Sequence, residues 1–270
     1  MENIIIIFVF IFGLIVGSFL NVVIYRYHTG KIINGRSICF SCGKTLKWYE
    51  LIPVLSFLFL RGKCSVCKSK ISWQYPIVEI ITGILFLGAF FLSPVNRYLF
   101  VYLCVQFSLL IVISVYDIHH KIIPDTFVYI FAVLAFAQVL ILSFLFTNNY
   151  DFSVLLWDIL AGPFYFLLFA GLWYFSRGKW LGFGDAKLAL GIGWFLGFSN
   201  AYISIIFAVW AGAIIGIGLI CYTKLLCFAA DKKITLKSEI PFGPFLMFGF
   251  LITLFFESWV VNFMQTFFIF

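Results

Sequence analysis

Residues 98–117 read YLFVYLCVQFSLLIVISVYD: nineteen residues without a formal charge, then an aspartate. About 20 predominantly apolar residues are what a helix needs to cross the hydrocarbon core of a bilayer. Working outward from this stretch, further apolar runs occupy 4–25, 77–93, 126–146, 154–175, 187–198, 201–222 and 241–268. The composition agrees, since the 270 residues are 64% hydrophobic and only 11% charged. A soluble globular chain carries roughly 25% charged residues. The expected fold is an all-α polytopic membrane protein with about eight transmembrane helices. The sixth run is short and glycine-rich, a pattern tolerated where neighbouring helices or a polar cavity cover the backbone. No basic residue precedes Arg26, and the first run is too long for the apolar part of a signal peptide, so 4–25 reads as a retained helix.

The net charge of +7 comes from 18 Lys and Arg against 11 Asp and Glu. Basic residues collect on the cytoplasmic side of membrane proteins. Nine lie between Arg26 and Lys70, and the rest fall in short breaks between apolar runs. With the N-terminus outside, 17 of the 18 fall inside and only Arg97 outside. The charge therefore sets topology rather than attraction to nucleic acid. Three regions follow: a first transmembrane helix (1–25), a cytoplasmic segment (26–76) and a membrane-embedded core (77–270). At about 50 residues the cytoplasmic segment needs help to fold alone.

Cys39-Phe-Ser-Cys42 and Cys64-Ser-Val-Cys67 offer that help. Two C-x-x-C pairs, with 21 residues between them, supply the four thiolates of a closed tetrahedral zinc site. Gly43 and Lys44 after the first pair, and Lys63 and Lys68 around the second, suit turns carrying positive charge beside a dianionic centre. Two disulfides are the alternative, disfavoured on a reducing cytoplasmic side. Four thiolates leave no open position, so the zinc is expected to be structural. Cys104, Cys221 and Cys227 fall in apolar context and read as small hydrophobic side chains.

Ionisable groups at membrane depth are costly and are functional candidates by default. Asp117 ends the run at 98–116. Asp185 opens the sixth run within Gly182-Phe-Gly184-Asp185-Ala-Lys187. Both fall at the cytoplasmic boundary on different helices, and Gly182 and Gly184 would let a substrate backbone approach. Two facing carboxylates cannot both ionise cheaply and share a proton. One then takes a proton from water while the other donates to a carbonyl, which is aspartyl-type hydrolysis. Spacing alone leaves other readings open: Asp185 as a helix cap or dipole partner, and Asp117 as a solvated span end. Asp125 after Pro124 reads as a cap, Asp158 as an interfacial polar residue, and His119 and His120 as surface histidines.

At these residues the chain resembles the prepilin (type IV leader) peptidase family. Gly17 to Arg26 resembles its first-helix signature. Leu46 to Ser56, Arg61 to Cys64 and Ile71 to Glu79 resemble the segment around the cysteine pairs. Asp117 to Asp125 resembles the first aspartate motif, Gly182 to Lys187 the second (G-x-G-D), and Ile240 to Phe245 the C-terminal motif. Two departures are Gly35, where proline often precedes Arg36, and a first cysteine pair without its common proline.

The resemblance implies an aspartic endopeptidase of the bacterial inner membrane whose site faces the cytoplasm. It implies Asp117 and Asp185 as catalytic residues, supported by Gly182, Gly184 and Lys187. Its substrates would be prepilin or pseudopilin precursors of type IV pili or protein secretion, and its other partner membrane lipid. Members with the cysteine segment commonly also methylate the new N-terminus with S-adenosylmethionine. Glu50 and Glu79 match family positions and are candidates for that second activity, although capping or pairing with Lys47 and Arg61 would explain them too. The competing class is a non-catalytic transport or assembly protein with a zinc-stapled loop.

Overall fold

The computed structural model describes residues 2–27, 35–145, 152–226 and 241–256. Among them the regular structure is helical, without a β-strand beyond isolated bridges. The order is α1 (Glu2–Arg26), a 3-10 turn (Trp48–Leu51), α2 (Leu55–Phe59), α3 (Gln74–Leu92) and α4 (Arg97–His120). There follow α5 (Asp125–Leu145), α6 (Phe152–Ser176), α7 (Phe183–Leu226) and α8 (Gly243–Phe255). α1, α3, α4, α6 and α7 contain five segments long and apolar enough to cross a membrane. Shorter apolar stretches lie in α5 (Asp125–Ile141) and α8 (Gly243–Phe255). Residues 257–268 of the last expected span, the loop lysines Lys232, Lys233 and Lys237, and Cys227 lie outside the described residues.

The chain divides into two compact units, Met1–Val112 and Ile113–Phe270. In the first, α1 and α3 approach through glycine: a Cβ on Gly13 would stand 2.7 Å from Gly83 Cα. Lipid is as apolar as leucine, so membrane helices associate by such close packing and by hydrogen bonds. Asn21 accordingly donates from Nδ2 to the Tyr75 carbonyl at 3.3 Å. The Tyr25 ring stacks on Tyr75 with centroids 5.4 Å apart.

The second unit packs α5, α6 and α8 against α7. Phe250 of α8 meets Phe195 of α7 at 4.8 Å and Phe131 of α5 at 6.2 Å, ring to ring. α7 covers two of the expected runs and breaks between them at Gly197, with φ 74° and ψ 178°. Only glycine adopts that region freely. A Cβ there would also stand 3.0 Å from Asp158 Oδ1, which places Asp158 against the break.

α4 continues one turn beyond the apolar run. The Lys121 N–H closes it on the Asp117 carbonyl at 2.7 Å, and Lys121 turns the chain with φ 54°. Pro124 then leads into α5. Asp117 therefore sits inside the last turn of α4, and Asp185 is the third residue of α7.

Candidate functional site

Asp117 is buried, with 4% of its surface exposed, so it is not a solvated span end. Its Oδ2 accepts the N–H of Gly243 at 3.0 Å. Gly243 is the first residue of α8, where free N–H groups and the helix dipole favour a negative charge. A Cβ on Gly243 would lie 2.8 Å from that oxygen, so the approach requires glycine.

Asp185, 5% exposed, accepts the Gly182 N–H at 2.9 Å through its own Oδ2. Gly182 immediately precedes α7, so Asp185 does close its helix start as a cap. That role occupies one carboxylate oxygen and leaves the other. Gly184 is used for packing: a Cβ there would stand 2.6 Å from Ile123 Cβ. The first turn of α7 is thereby seated on the segment that follows Asp117. The two carboxylates are within electrostatic reach of one another. Among the described residues neither is in an ion pair with a Lys, Arg or His.

Lys187 is the cation nearest to Asp185 in sequence, and it is engaged elsewhere. Its Nζ meets Asp125 Oδ1 at 2.7 Å and lies 5.3 Å from the centroids of Tyr129 and Phe183. Asp125, expected as a cap, thus links the start of α5 to the start of α7. His119 and His120 are exposed, with His120 over the Tyr116 ring at 4.3 Å.

In the first unit the four sulfurs of Cys39, Cys42, Cys64 and Cys67 lie within 4.8 Å of one another, Cys39 and Cys67 at 3.8 Å. A tetrahedron with Zn–S bonds near 2.3 Å has edges of roughly 3.8 Å. The donor set therefore fits zinc and would hold it in a closed, structural site. The two knuckles repeat each other at an offset of 25 residues. Cys39 N–H donates to the Lys44 carbonyl, and Cys64 N–H to the Ser69 carbonyl, both at 2.9 Å. Gly43 (φ 69°) and Lys68 (φ 59°) occupy the same left-handed corner. Cys39 and Cys42 differ in acidity. Backbone N–H groups of Cys42 and Ser41 bring Cys39 down to about 6. Cys42, despite the N–H of Lys44, is pushed up to about 11 by desolvation and by its hydrogen-bonded thiol neighbours.

Glu50 staples the knuckles together. Its carboxylate takes the Lys44 ammonium at 2.8 and 3.1 Å, the Ser65 hydroxyl at 2.5 Å and the Lys47 N–H at 2.8 Å. Lys44 follows the first pair and Ser65 lies within the second. These donors, the Lys44 ammonium foremost, hold the Glu50 carboxyl well below its ordinary value, at about 2. Glu79, one turn inside α3, accepts the Val54 N–H at 2.7 Å and a hydrogen bond from Ser18. Both acids considered for methyl transfer are thus already bonded within the first unit. Gly243 lies within the motif Ile240 to Phe245, which carried no assigned role in the sequence. Pro241 and Pro244 around a glycine at a helix start were its signal. Lys44 and Ser65 carried no signal as partners of Glu50.

Comparisons with known proteins place the chain in a family. The model of the bacterial peptidase A24 N-terminal domain matches residues 11–92, and that of the type IV leader peptidase family matches 104–217. A prepilin leader peptidase/N-methyltransferase of Bacillus subtilis (strain 168) is 32% identical over 264 residues, 94% of this chain and 95% of its own. One from Myxococcus xanthus (strain DK1622) is 43% identical over 123 residues, 44% of this chain and 35% of its own. One from Burkholderia pseudomallei (strain 1026b) is 30% identical over 284 residues, 93% of this chain and 85% of its own. No solved structure matches the chain. The chain belongs to the type IV leader peptidase family.

Proposed function

We propose that this chain removes the leader from prepilin or pseudopilin precursors by aspartyl-type hydrolysis at Asp117 and Asp185. One observation carries the assignment: two buried acids from different helices, each with one oxygen held by a backbone N–H, lie within electrostatic reach and lack a paired cation. Such a pair holds one proton more readily than none. The ionised member takes a proton from water, and the protonated member donates to the scissile carbonyl. Gly243 and Gly182 fix the carboxylates, and Gly184 seats α7 beside Ile123. Lys187 acts as support, because its pairing with Asp125 keeps its charge away from the pair.

The same reading places the protein in the bacterial inner membrane with eight crossings, α7 counting as two. The cleavage site then faces the cytoplasm, the side that carries 17 of the 18 basic residues. A basic leader stays on that side while the apolar pilin helix remains in lipid. Zinc held by Cys39, Cys42, Cys64 and Cys67 would fix the cytoplasmic segment. The relatives' name supports N-methylation of the new terminus, with S-adenosylmethionine supplying an electrophilic methyl group. Glu50 and Glu79 are engaged in hydrogen bonds of their own, so no step of that transfer is assigned to them.

The test is co-expression of a prepilin with Asp117→Asn or Asp185→Asn. Each variant is expected to accumulate normally and to leave the precursor uncleaved. Cleavage by either one removes the pair from the mechanism. Weighing the processed pilin separates cleavage from methylation.

A further inference from the structure

The 21 residues between Cys42 and Cys64 are more than two knuckles need, and the surplus leads toward the membrane. The 3-10 turn and α2 occupy it. Between them the Val54 N–H donates to Glu79 Oε2 at 2.7 Å. Glu79 is the sixth residue of α3, roughly 7 Å along the helix from Gln74 at 1.5 Å per residue. Val54 therefore lies beside α3 within its bilayer-crossing stretch. Val54 also has φ 59°, unusual for a β-branched residue, so the chain reverses sharply there. Lipid supplies no acceptor for a backbone N–H at such depth, and the Glu79 carboxylate provides one.

The residues around this reversal have the composition of an interfacial element. Residues 51–60, LIPVLSFLFL, contain no charge and follow directly on the lysine-bearing first knuckle. Phe57 is buried against Trp73 at 4.8 Å, whereas Leu58 is 61% and Phe59 83% exposed. Trp48, just before the segment, and Trp73, immediately before α3, are exposed, and amphipathic rings suit the headgroup level. Lys47 and Arg61 flank the apolar stretch and complement anionic phosphates. On α3 itself Ile77 and Ile81 are exposed as well.

We infer that residues 51–60 form a re-entrant element lying in the headgroup region of the same bilayer that α1 and α3 cross. Leu58 and Phe59 enter the acyl layer, Lys47 and Arg61 meet anionic lipid, and Glu79 anchors the loop. The cysteine segment is then fastened to the membrane at a third point besides α1 and α3. Glu79 holds the anchoring N–H in place.

The test is photocrosslinking of the full chain, zinc-loaded, in nanodiscs of phosphatidylethanolamine and phosphatidylglycerol. p-Benzoylphenylalanine is placed at Phe59, at Phe8 on the exposed face of α1, or at Val66 on the exposed second knuckle. Mass spectrometry is expected to find lipid adducts at positions 59 and 8 and severalfold fewer at 66. Replacing phosphatidylglycerol with phosphatidylcholine is expected to lower the yield at 59 severalfold and leave that at 8 unchanged. Lipid adducts at 8 without any at 59 overturn the inference. So do adducts at 59 that in native membranes form only to another polypeptide, and so does a yield at 59 indifferent to anionic lipid. The variant Glu79→Gln keeps an oxygen acceptor and is expected to retain adducts at 59, whereas Glu79→Leu loses them.

Discussion

Glu50 and the pair formed by Asp117 and Asp185 are acids treated in opposite ways. Around Glu50 every approach is a donor: an ammonium, a hydroxyl and a backbone N–H converge on one carboxylate. It is held ionised and joins the two knuckles. Asp117 and Asp185 each receive a single backbone N–H, and the lysine nearest to Asp185 in sequence, Lys187, is bonded to Asp125 instead. A buried acid without a cation has an unstable charge, and a second acid nearby makes it more so. The proposed roles follow that difference: the saturated acid is structural, and the two left short of partners are the proposed reactive pair.

The largest expected effect breaks the comparison if it fails. Asp117→Asn and Asp185→Asn each remove a proton-transfer group and are expected to lower prepilin cleavage by roughly 10²–10⁴-fold or more, with unchanged accumulation. Glu50→Gln is expected to leave the chemistry near normal in any protein that remains zinc-loaded. Single-turnover cleavage by zinc-normalised samples separates the two. Equal losses from Glu50→Gln and Asp185→Asn would deny that the acids differ in kind. The parent's rate should also rise and then fall with pH, as expected of a pair that must hold one proton.

Gly243 tests the geometry of the pair. An alanine there sets a methyl 2.8 Å from Asp117 Oδ2, closer than real contacts allow, so the carboxylate or the start of α8 must shift. A displacement of about 1 Å in a reacting group costs on the order of 10²-fold in rate. Gly243→Ala is therefore expected to lower kcat by about that factor and leave KM little changed. Normal activity would show that the Gly243 N–H does not set the carboxylate's position.

How much of this was legible follows from distance along the chain. The stretch at 98–117 and Gly182-Phe-Gly184-Asp185 announced both acids, because an apolar run ending in a carboxylate is a local pattern. The C-x-x-C pairs announced the sulfur cluster for the same reason. The end of α4 was misplaced by a turn because hydropathy marks where lipid stops, whereas the hydrogen-bonded helix runs on through Ile118, His119 and His120. Contacts across long separations were invisible. Gly243 is 126 positions from Asp117, and Lys187 is 62 from Asp125. The resemblance made Lys187 a supporting residue and could not show that its partner stands on another helix. The 25-residue echo between the knuckles was likewise hidden, since Gly43 and Lys68 share a backbone conformation and no chemistry.

Glu50 sharpens the comparison from the structural side. Glu50→Gln discards the charge that holds Lys44 and Ser65, and is expected to weaken zinc retention about tenfold, as loss of a supporting hydrogen bond around a metal site does. Zinc transfer to a competing chelator measures it. The acidity of Glu50 adds a sign. With its value lowered from 4.5 to about 2 in the fold, it contributes stability that is fully present above about pH 4.5 and lost as pH falls through about 2. Melting curves of parent and Glu50→Gln should differ at neutral pH and converge across that window.

The smallest effect concerns Lys187, whose pairing with Asp125 is half open to water: the Asp125 side chain is 59% exposed. Exposed pairs contribute roughly 0.2–1 kcal/mol, so stability is a poor readout. Its consequence for the pair is a better one. Lys187→Met is expected to lower cleavage only severalfold, by loosening the start of α7 against α5. Asp125→Asn keeps the lysine and frees it, and a freed ammonium near Asp185 favours the doubly ionised pair. The alkaline limb of the pH profile should then move to lower pH in Asp125→Asn and stay in place in Lys187→Met. A purely structural link would lower the rate in both variants and move the limb in neither, in which case the diverted lysine has no bearing on how the two acids hold their proton.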